Sequence, residues 1–480
     1  MALEFMHEGI LLENETARSL YEVAKGEPIF DFHCHLKPAD IAQNKKYADL
    51  AEAWLTGDHY KWRMMRTLGY DEYYITGGAP AYEKFLAWVR TLENLIGNPI
   101  YPWTHLELKR CFGITEPLTE KNAPAVWEKG NALLKTPELS FKGLFEKFKV
   151  YAVGTTDDPA DTLEHHIAIG EGKAPIGKIA TKVYPSFRPD RAIDISQNTF
   201  AAYIETLSKA SGMQIKSSDD VLAALEKRLD FFATLGCRAS DHALAYAPFV
   251  VASDSQIDKT FGDAMAGKEV SAEDADAYRT KILCGLAKMY ADRNIAMQLH
   301  IAALRNINSR MFKITGPESG YNVINDRDVT TNLSALLSRM ESTGPKSCLP
   351  KTILFSLNQK DYYPMATIMG SFQDNCAKAE NRKPIVGKMQ LGTAWWFCDH
   401  KDGMEEQMRT LANVGMIPVF LGMLTDSGNP FTNIRHEYFR RILCNIIGGW
   451  VESGEYPSEK TRLEKIVKDI AFENAKNYFG

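Results

Sequence analysis

The sequence predicts an α/β chain built as a distorted (β/α)8 barrel of the TIM type, with a helical insertion after its first strand. Three observations lead there. Eight short apolar runs each end in polar or charged residues, amphipathic stretches lie between them, and the 480 residues exceed the ~250 that such a barrel needs. Parallel strands covered by helices read as continuous apolar runs rather than as alternating ones. The runs are residues 28–35 (PIFDFHCH), 149–156 (KVYAVGTT), 178–188 (KIATKVYPSFR) and 233–241 (ATLGCRASD), followed by 294–300 (NIAMQLH), 351–358 (KTILFSLN), 388–396 (KMQLGTAWW) and 416–426 (MIPVFLGMLTD). The stretches 221–230, 275–293 and 405–413 space their apolar residues as helices packed on a sheet do.

Residues 1–36 are read as an N-terminal helix and strand one, 37–148 as the helical insertion, and 149–480 as the rest of the barrel with C-terminal helices. The insertion carries helical patterns, residues 82–95 among them, and no buried strand pattern. Residues 316–331 (GPESGYNVINDRDVTT) are rich in Gly, Asn and Asp and predict a long loop over the barrel mouth.

Composition narrows the function. A net charge of −5 gives no basic field to hold nucleic acid or an anionic membrane, and no apolar run reaches the ~20 residues of a membrane span. The eight cysteines form no C-x-x-C pair, so a zinc ribbon or dense disulfide frame is not expected. Reduced thiols and the absence of a basic-then-apolar leader point to the cytoplasm.

The strongest local signal is Asp31-Phe32-His33-Cys34-His35. Alternate residues of a strand share a side, so His33 and His35 can face one ion at the C-terminal end of strand one, where barrels carry their catalytic groups. The plain alternative is two unrelated histidines beside a turn. His300 closes strand five and Asp426 closes strand eight, which brings four N and O donors to one mouth and suits a first-row divalent ion. Asp426 could instead cap the helix that follows. Strand four ends Arg238-Ala239-Ser240-Asp241-His242 with no bridging lysine, which favours one ion over two. Arg188 and Arg305 are candidate handles for a carboxylate or phosphate, with surface ion pairs as the alternative. His59-Tyr60, taken alone, reads as structural.

Longer motifs then carry a resemblance. Residues 31–36 (DFHCHL), 57–63 (GDHYKWR), 96–114 (IGNPIYPWTHLELKRCFGI), 155–159 (TTDDP), 187–190 (FRPD), 394–397 (AWWF), 401–404 (KDGM) and 435–441 (RHEYFRR) resemble, in order, the uronate isomerases of the amidohydrolase superfamily, also called glucuronate isomerases. The resemblance runs from about residue 5 to 444. It implies a barrel of the metal-dependent hydrolase kind that interconverts D-glucuronate with D-fructuronate and D-galacturonate with D-tagaturonate. It also implies one divalent ion, Zn2+ first, with Mn2+, Co2+ or Fe2+ as alternatives. Carried over, His33, His35 and Asp426 match metal ligands, with His300 as a further candidate. His59, Tyr60, Arg188, Arg305 and Trp396 match substrate-pocket positions. Asp426 is the candidate base for the C2 proton, Tyr60 or His59 would move a hydroxyl proton, and Arg188 would hold the substrate carboxylate.

The expected partners are a hexuronate and further copies of the chain. The chain departs from the family after Thr425-Asp426-Ser427, where Gly428 replaces an arginine, a loss of ~1.5–3 kcal/mol if that guanidinium held substrate. Arg435 is the candidate replacement. Cys398 and His400 stand where the family tends to have Asn and Gln. The rivals are a family member acting on a related sugar acid, a single-metal hydrolase or lactonase, and a sugar-acid-binding protein without turnover.

Overall fold

A computed structural model describes residues 4–344, 347–373 and 383–480. Strand β1 (Ile29–Asp31) pairs in parallel with β2 (Val150–Gly154), and β2 with β3 (Lys182–Tyr184). A second parallel sheet has the order β4 (Ala239–Leu244), β5 (Ala296–Ile301), β8 (Thr352–Ser356), β9 (Met389–Leu391). Every residue of β5, β8 and β9 is buried, which is why their sequences read as mostly apolar runs without in–out alternation. Phe187 bridges the two sheets: its N–H donates to Ala239 O at 3.0 Å, and its carbonyl accepts from Asp241 N at 3.0 Å.

Two expectations need correction. The run 416–426 forms no strand: Ile417–Val419 is a 3-10 turn containing Pro418, and Gly422 has φ 77°. Proline has no N–H for a ladder, and a positive φ breaks the extended path. This segment instead meets the first strand through a side chain, with Thr425 N donating to Asp31 Oδ1 at 2.7 Å, and through Asp426 N on His33 O at 3.2 Å. The loop expected at 316–331 is partly structured. It includes Val323–Ile324 (β7), antiparallel to Ala303–Leu304 (β6), and from Thr330 it is the helix Thr330–Glu341.

The helices follow from their caps and faces. Ser217 accepts from Asp220 N at the start of Ser218–Thr234, whose Val221, Leu225, Leu229 and Phe232 fall on one buried face. Ala272–Asp292 and Lys401–Val414 occupy the other two amphipathic stretches. Between β1 and β2 the chain is helical, without a strand. This layer does not have a separate core: Phe112 stacks on Phe431 at 5.7 Å, and Trp54 and Trp88 belong to the cluster that runs from Met6 to Phe479. The motif 435–441 opens the helix Ile434–Glu452 and ties down the N-terminal segment. Arg441 is fully buried and donates to Glu8 O at 2.7 Å and Glu437 Oε1 at 2.8 Å, while Arg440 donates to Pro28 O at 2.7 Å, just before β1.

Candidate active site

The end of β1 is set by close packing. A Cβ on Gly154 would lie 2.5 Å from Phe32 O, so only glycine lets β2 approach the segment that carries the two histidines. Asp31 is buried, and burial pushes its carboxyl up to about 6 despite the bonds from Thr425. Beyond it, His33 Nε2 and His35 Nε2 each lie 3.0 Å from the same oxygen, Asp426 Oδ1. The other oxygen, Oδ2, accepts from Trp395 Nε1 at 2.7 Å. Burial alone would raise the Asp426 pKa, but the hydrogen bonds from His33 and His35 outweigh it and hold the carboxyl well below the usual range. Burial opposes charge on His33, and the nearby Asp241 and Asp426 overcome it and raise its pKa.

A second wall stands behind His33. Asp241 is 1% exposed, accepts from His300 Nδ1 at 2.7 Å and pairs with Arg188 Nη1 at 3.2 Å. Arg188 Nε donates to Asp190 at 2.7 Å. His300 lies flat on Phe355, with ring centroids 4.3 Å apart, and 4.5 Å from the His33 ring. Burial lowers its pKa to about 4, so its ring is neutral at physiological pH, and its Nε2 is buried without a partner.

Two helical segments complete the rim. Asp58 caps the helix His59–Thr67, placing His59 and Tyr60 in its first turn. The Tyr60 hydroxyl donates to Asp399 Oδ2 at 3.0 Å, and Arg435 Nη1 donates to the same oxygen at 3.0 Å. Burial pushes the Asp399 carboxyl up to about 7 and keeps the Tyr60 phenol protonated. Trp396, at φ 49°, lies 5.1 Å from the His59 ring and beneath Arg305, whose guanidinium also pairs with Glu318 at 2.7 Å. All nine site residues expected from the sequence line one cavity of about 800 Å3. The donor set suits a divalent ion: two imidazole nitrogens and a carboxylate oxygen converge, within 4.8 Å of one another, beside the unpartnered His300 Nε2.

A family profile described as glucuronate isomerase matches residues 2–479. The chain belongs to the glucuronate isomerase family. It is 50% identical over 477 residues to the uronate isomerases of Brachyspira hyodysenteriae and Caldicellulosiruptor saccharolyticus, covering 99% of each chain in both comparisons. Among solved structures it is similar to the uronate isomerase of Thermotoga maritima, with a TM-score of 0.90, 32% identity and all of both chains covered. It is also similar to the glucuronate isomerase of Caulobacter crescentus, with a TM-score of 0.88, 25% identity and 98% and 96% of the two chains covered.

Within this glucuronate isomerase family member, the three departures noted in the sequence have different settings. His400 Nδ1 accepts from Gly403 N at 3.1 Å and caps the helix Lys401–Val414, and Cys398 Sγ donates to Leu357 O at 3.2 Å. His400 therefore makes a local cap, and Cys398 a structural bond to a residue 41 positions earlier. Gly428 lines the cavity, and a Cβ there would meet His35 O at 3.2 Å. Arg435 reaches the cavity wall, but Asp399 and Thr425 O already hold its Nη1.

Four further polar residues of the site, Asp241, Asp190, Trp395 and Asp399, were not selected from the sequence. Asp241 carried a usable signal, a carboxylate within the run of strand four, where the structure places it third of six residues. Trp395 and Asp399 flank the recognised Trp396, and their contacts with Asp426 and Tyr60 depend on the fold.

Proposed function

We propose that this isomerase interconverts aldo- and keto-hexuronates, D-glucuronate with D-fructuronate and D-galacturonate with D-tagaturonate, using one divalent ion held by His33, His35 and Asp426, with His300 beside them. The observation that carries this reading is the placement of both imidazole Nε2 atoms 3.0 Å from one Asp426 oxygen, in a cavity that also holds Tyr60 and Arg188. Zn2+ is the first candidate, and Mn2+, Co2+ and Fe2+ suit the same mixed N/O donors. When bound, such an ion supplies positive charge that polarises the carbonyl or its neighbouring hydroxyl and stabilises negative charge developing on their oxygens.

The rest falls to the chain. Asp190 and Asp241 engage Nε and Nη1 of Arg188, which leaves Nη2 for the sugar carboxylate and fixes the guanidinium plane in advance. Asp426 takes the C2 proton, its side chain oriented by the Trp395 indole. The proton is returned at C1, so C2 is oxidised, C1 is reduced and the mass is unchanged. Tyr60, donating to Asp399, moves a hydroxyl proton during ring opening or transfer, with Asp399 able to accept it near neutral pH. His59, kept neutral by burial, lines the same side and is the second candidate for that step.

The same reading joins the two sheets and residues 420–426 into a distorted (β/α)8 barrel, with 37–148 as its helical insertion. The protein is further read as a cytoplasmic homo-oligomer; among the described residues no helix is long and apolar enough to cross a membrane.

The test is incubation of the protein, loaded with Zn2+ or Mn2+, with D-glucuronate and separately D-galacturonate in deuterated water, followed by proton NMR and mass analysis. A ketouronate of unchanged mass is expected, and deuterium at C1 would mark the proton route. Chelation should abolish turnover and a divalent ion restore it. Opening of a uronolactone, supplied as a separate substrate, with a gain of one water would identify a lactonase, and no change in either free sugar with the ion bound would refute both substrate assignments.

A further inference from the structure

Behind the three converging donors lies a carboxylate with no direct task in the reaction above. Asp241 is buried and touches two of the four candidate ligands on their far side. Its Oδ1 accepts from His300 Nδ1 at 2.7 Å, and its Oδ2 lies 3.9 Å from His33 Nδ1. His33 Nδ1 is buried without a hydrogen bond, and Asp241 Oδ2, ion-paired with Arg188, has a lone pair left to accept one. A shift of about 1 Å would bring the pair to hydrogen-bond distance. We propose that Asp241 is a positioning residue for the metal centre, holding His33 and His300 by their Nδ1 atoms so that both Nε2 lone pairs are presented to the ion.

A neutral imidazole carries one N–H, and whichever nitrogen donates to a carboxylate leaves the other as the lone-pair donor. With Nδ1–H of His300 directed at Asp241, its Nε2 is the free ligand atom, and that is the atom found buried without a partner. An outer carboxylate of this kind fixes the tautomer, locks the ring orientation and raises ligand basicity.

Asp241 could itself be a ligand, since His33, Asp241 and His300 offer a second triad of donor atoms within 4.8 Å of one another. The surroundings argue against an ion there. Arg188 Nη1 is 3.2 Å from Oδ2, so a cation on Asp241 would face a guanidinium across one oxygen, and it would have to displace the 2.7 Å bond from His300. Arg188 fits the outer role well. Its guanidinium lies 3.2 Å from Oδ2 and compensates the buried carboxylate from the side away from His300 Nδ1.

This inference rests on the metal reading, and the experiment separates the two. Zn2+ affinity and stoichiometry are measured by chelator competition on the full chain, for wild type, Asp241→Asn and Asp190→Asn. Asp190 shares Arg188 with Asp241 but has no hydrogen bond or ion pair with either imidazole among the described residues. Expected are one ion per chain in all three proteins, a 10- to 100-fold weaker affinity for Asp241→Asn, and little change for Asp190→Asn. Equal affinity in wild type and Asp241→Asn would overturn the positioning role while leaving the metal reading intact. So would an equal loss in Asp190→Asn, which would assign the effect to Arg188. Two ions in wild type and one in Asp241→Asn would make Asp241 a ligand. No ion in wild type would end the metal reading and this inference together. A further measurement needs no variant: the ring 15N shifts of His300 in the metal-free protein should report Nδ1–H, and the opposite tautomer would refute the assignment.

Discussion

Asp426 and Trp396 both sit at φ 49°, the left-handed region that non-glycine residues adopt at a cost of roughly 1–3 kcal/mol. Each turns its side chain into the cavity, Asp426 towards the two histidines and Trp396 beneath Arg305. The contacts they make there offset the strain. At this scale Tyr60 gives the sharpest check on the chemistry. A Tyr60→Phe variant keeps the ring stacked on His59 and removes only the hydroxyl bonded to Asp399. Its kcat should fall by ~100-fold or more, with Zn2+ affinity unchanged, since proton transfer by a placed side chain contributes on that scale. Wild-type turnover would remove Tyr60 from the mechanism. His33 and His35 were legible as an H-x-H pair at the end of an apolar run, although β1 ends at Asp31 and the two rings meet Asp426 from the irregular segment that follows it. Asp241 and Trp395 were not, since their meaning lies in partners 59 and 31 positions away.

The strands that carry these residues depend on a few tight junctions. Because a Cβ on Gly154 would strike the backbone at Phe32 O, Gly154→Ala should cost ~1–3 kcal/mol and lower the melting temperature. An unshifted melt would mean that β1 and β2 tolerate the separation. Asp157 joins the two sheets from the other side. Its carbonyl accepts from Arg188 N at 2.9 Å, its carboxylate accepts from Thr155 Oγ1 at 2.7 Å, and burial pushes its pKa up to about 7. A folded pKa above the unfolded one means that the unfolded chain loses its proton first as pH rises from about 4. Stability contributed by the protonated group is therefore complete below pH ~4 and is withdrawn by about pH 7, with a magnitude of order 2–4 kcal/mol. Asp157→Asn keeps an acceptor without the charge, so its melting temperature relative to wild type should rise between about pH 5 and about pH 8. A pH-independent difference would refute this. Most of the first seven apolar runs announced their strands because burial on both faces removes the in–out alternation, although β3 is exposed at Lys182 and only half-buried at Val183 and Tyr184. The eighth carried the same signature but holds Pro418 and a left-handed Gly422, and its contact with β1 passes through the Asp31 side chain, which hydropathy cannot register.

Across the whole molecule, distant parts of the chain are joined through buried arginines. Arg441 links the helix Ile434–Glu452 to the N-terminal segment at Glu8 and Ile10 and neutralises Glu437. Arg441→Ala should destabilise the protein by ~2–4 kcal/mol, because it leaves the Glu8 and Ile10 carbonyls without their donor and empties a fully buried volume, while Glu437 keeps its pair with Arg110; denaturant unfolding measures this, and a loss below 1 kcal/mol would refute it. The motif 435–441 was visible in the sequence as a family signature, but its work of anchoring the chain ahead of β1 became apparent only in three dimensions. His33 and Asp426 are 393 positions apart, yet they meet at 3.0 Å. During synthesis at ~5–20 residues per second, the two imidazoles therefore leave the ribosome roughly 20–80 s before their carboxylate exists. Throughout that interval a nascent chain offers a bare two-nitrogen chelate to whichever cellular metal is most abundant or most avid. If the folded site takes an ion as proposed, the complete donor set with its carboxylate exists only once nearly the whole chain has been made.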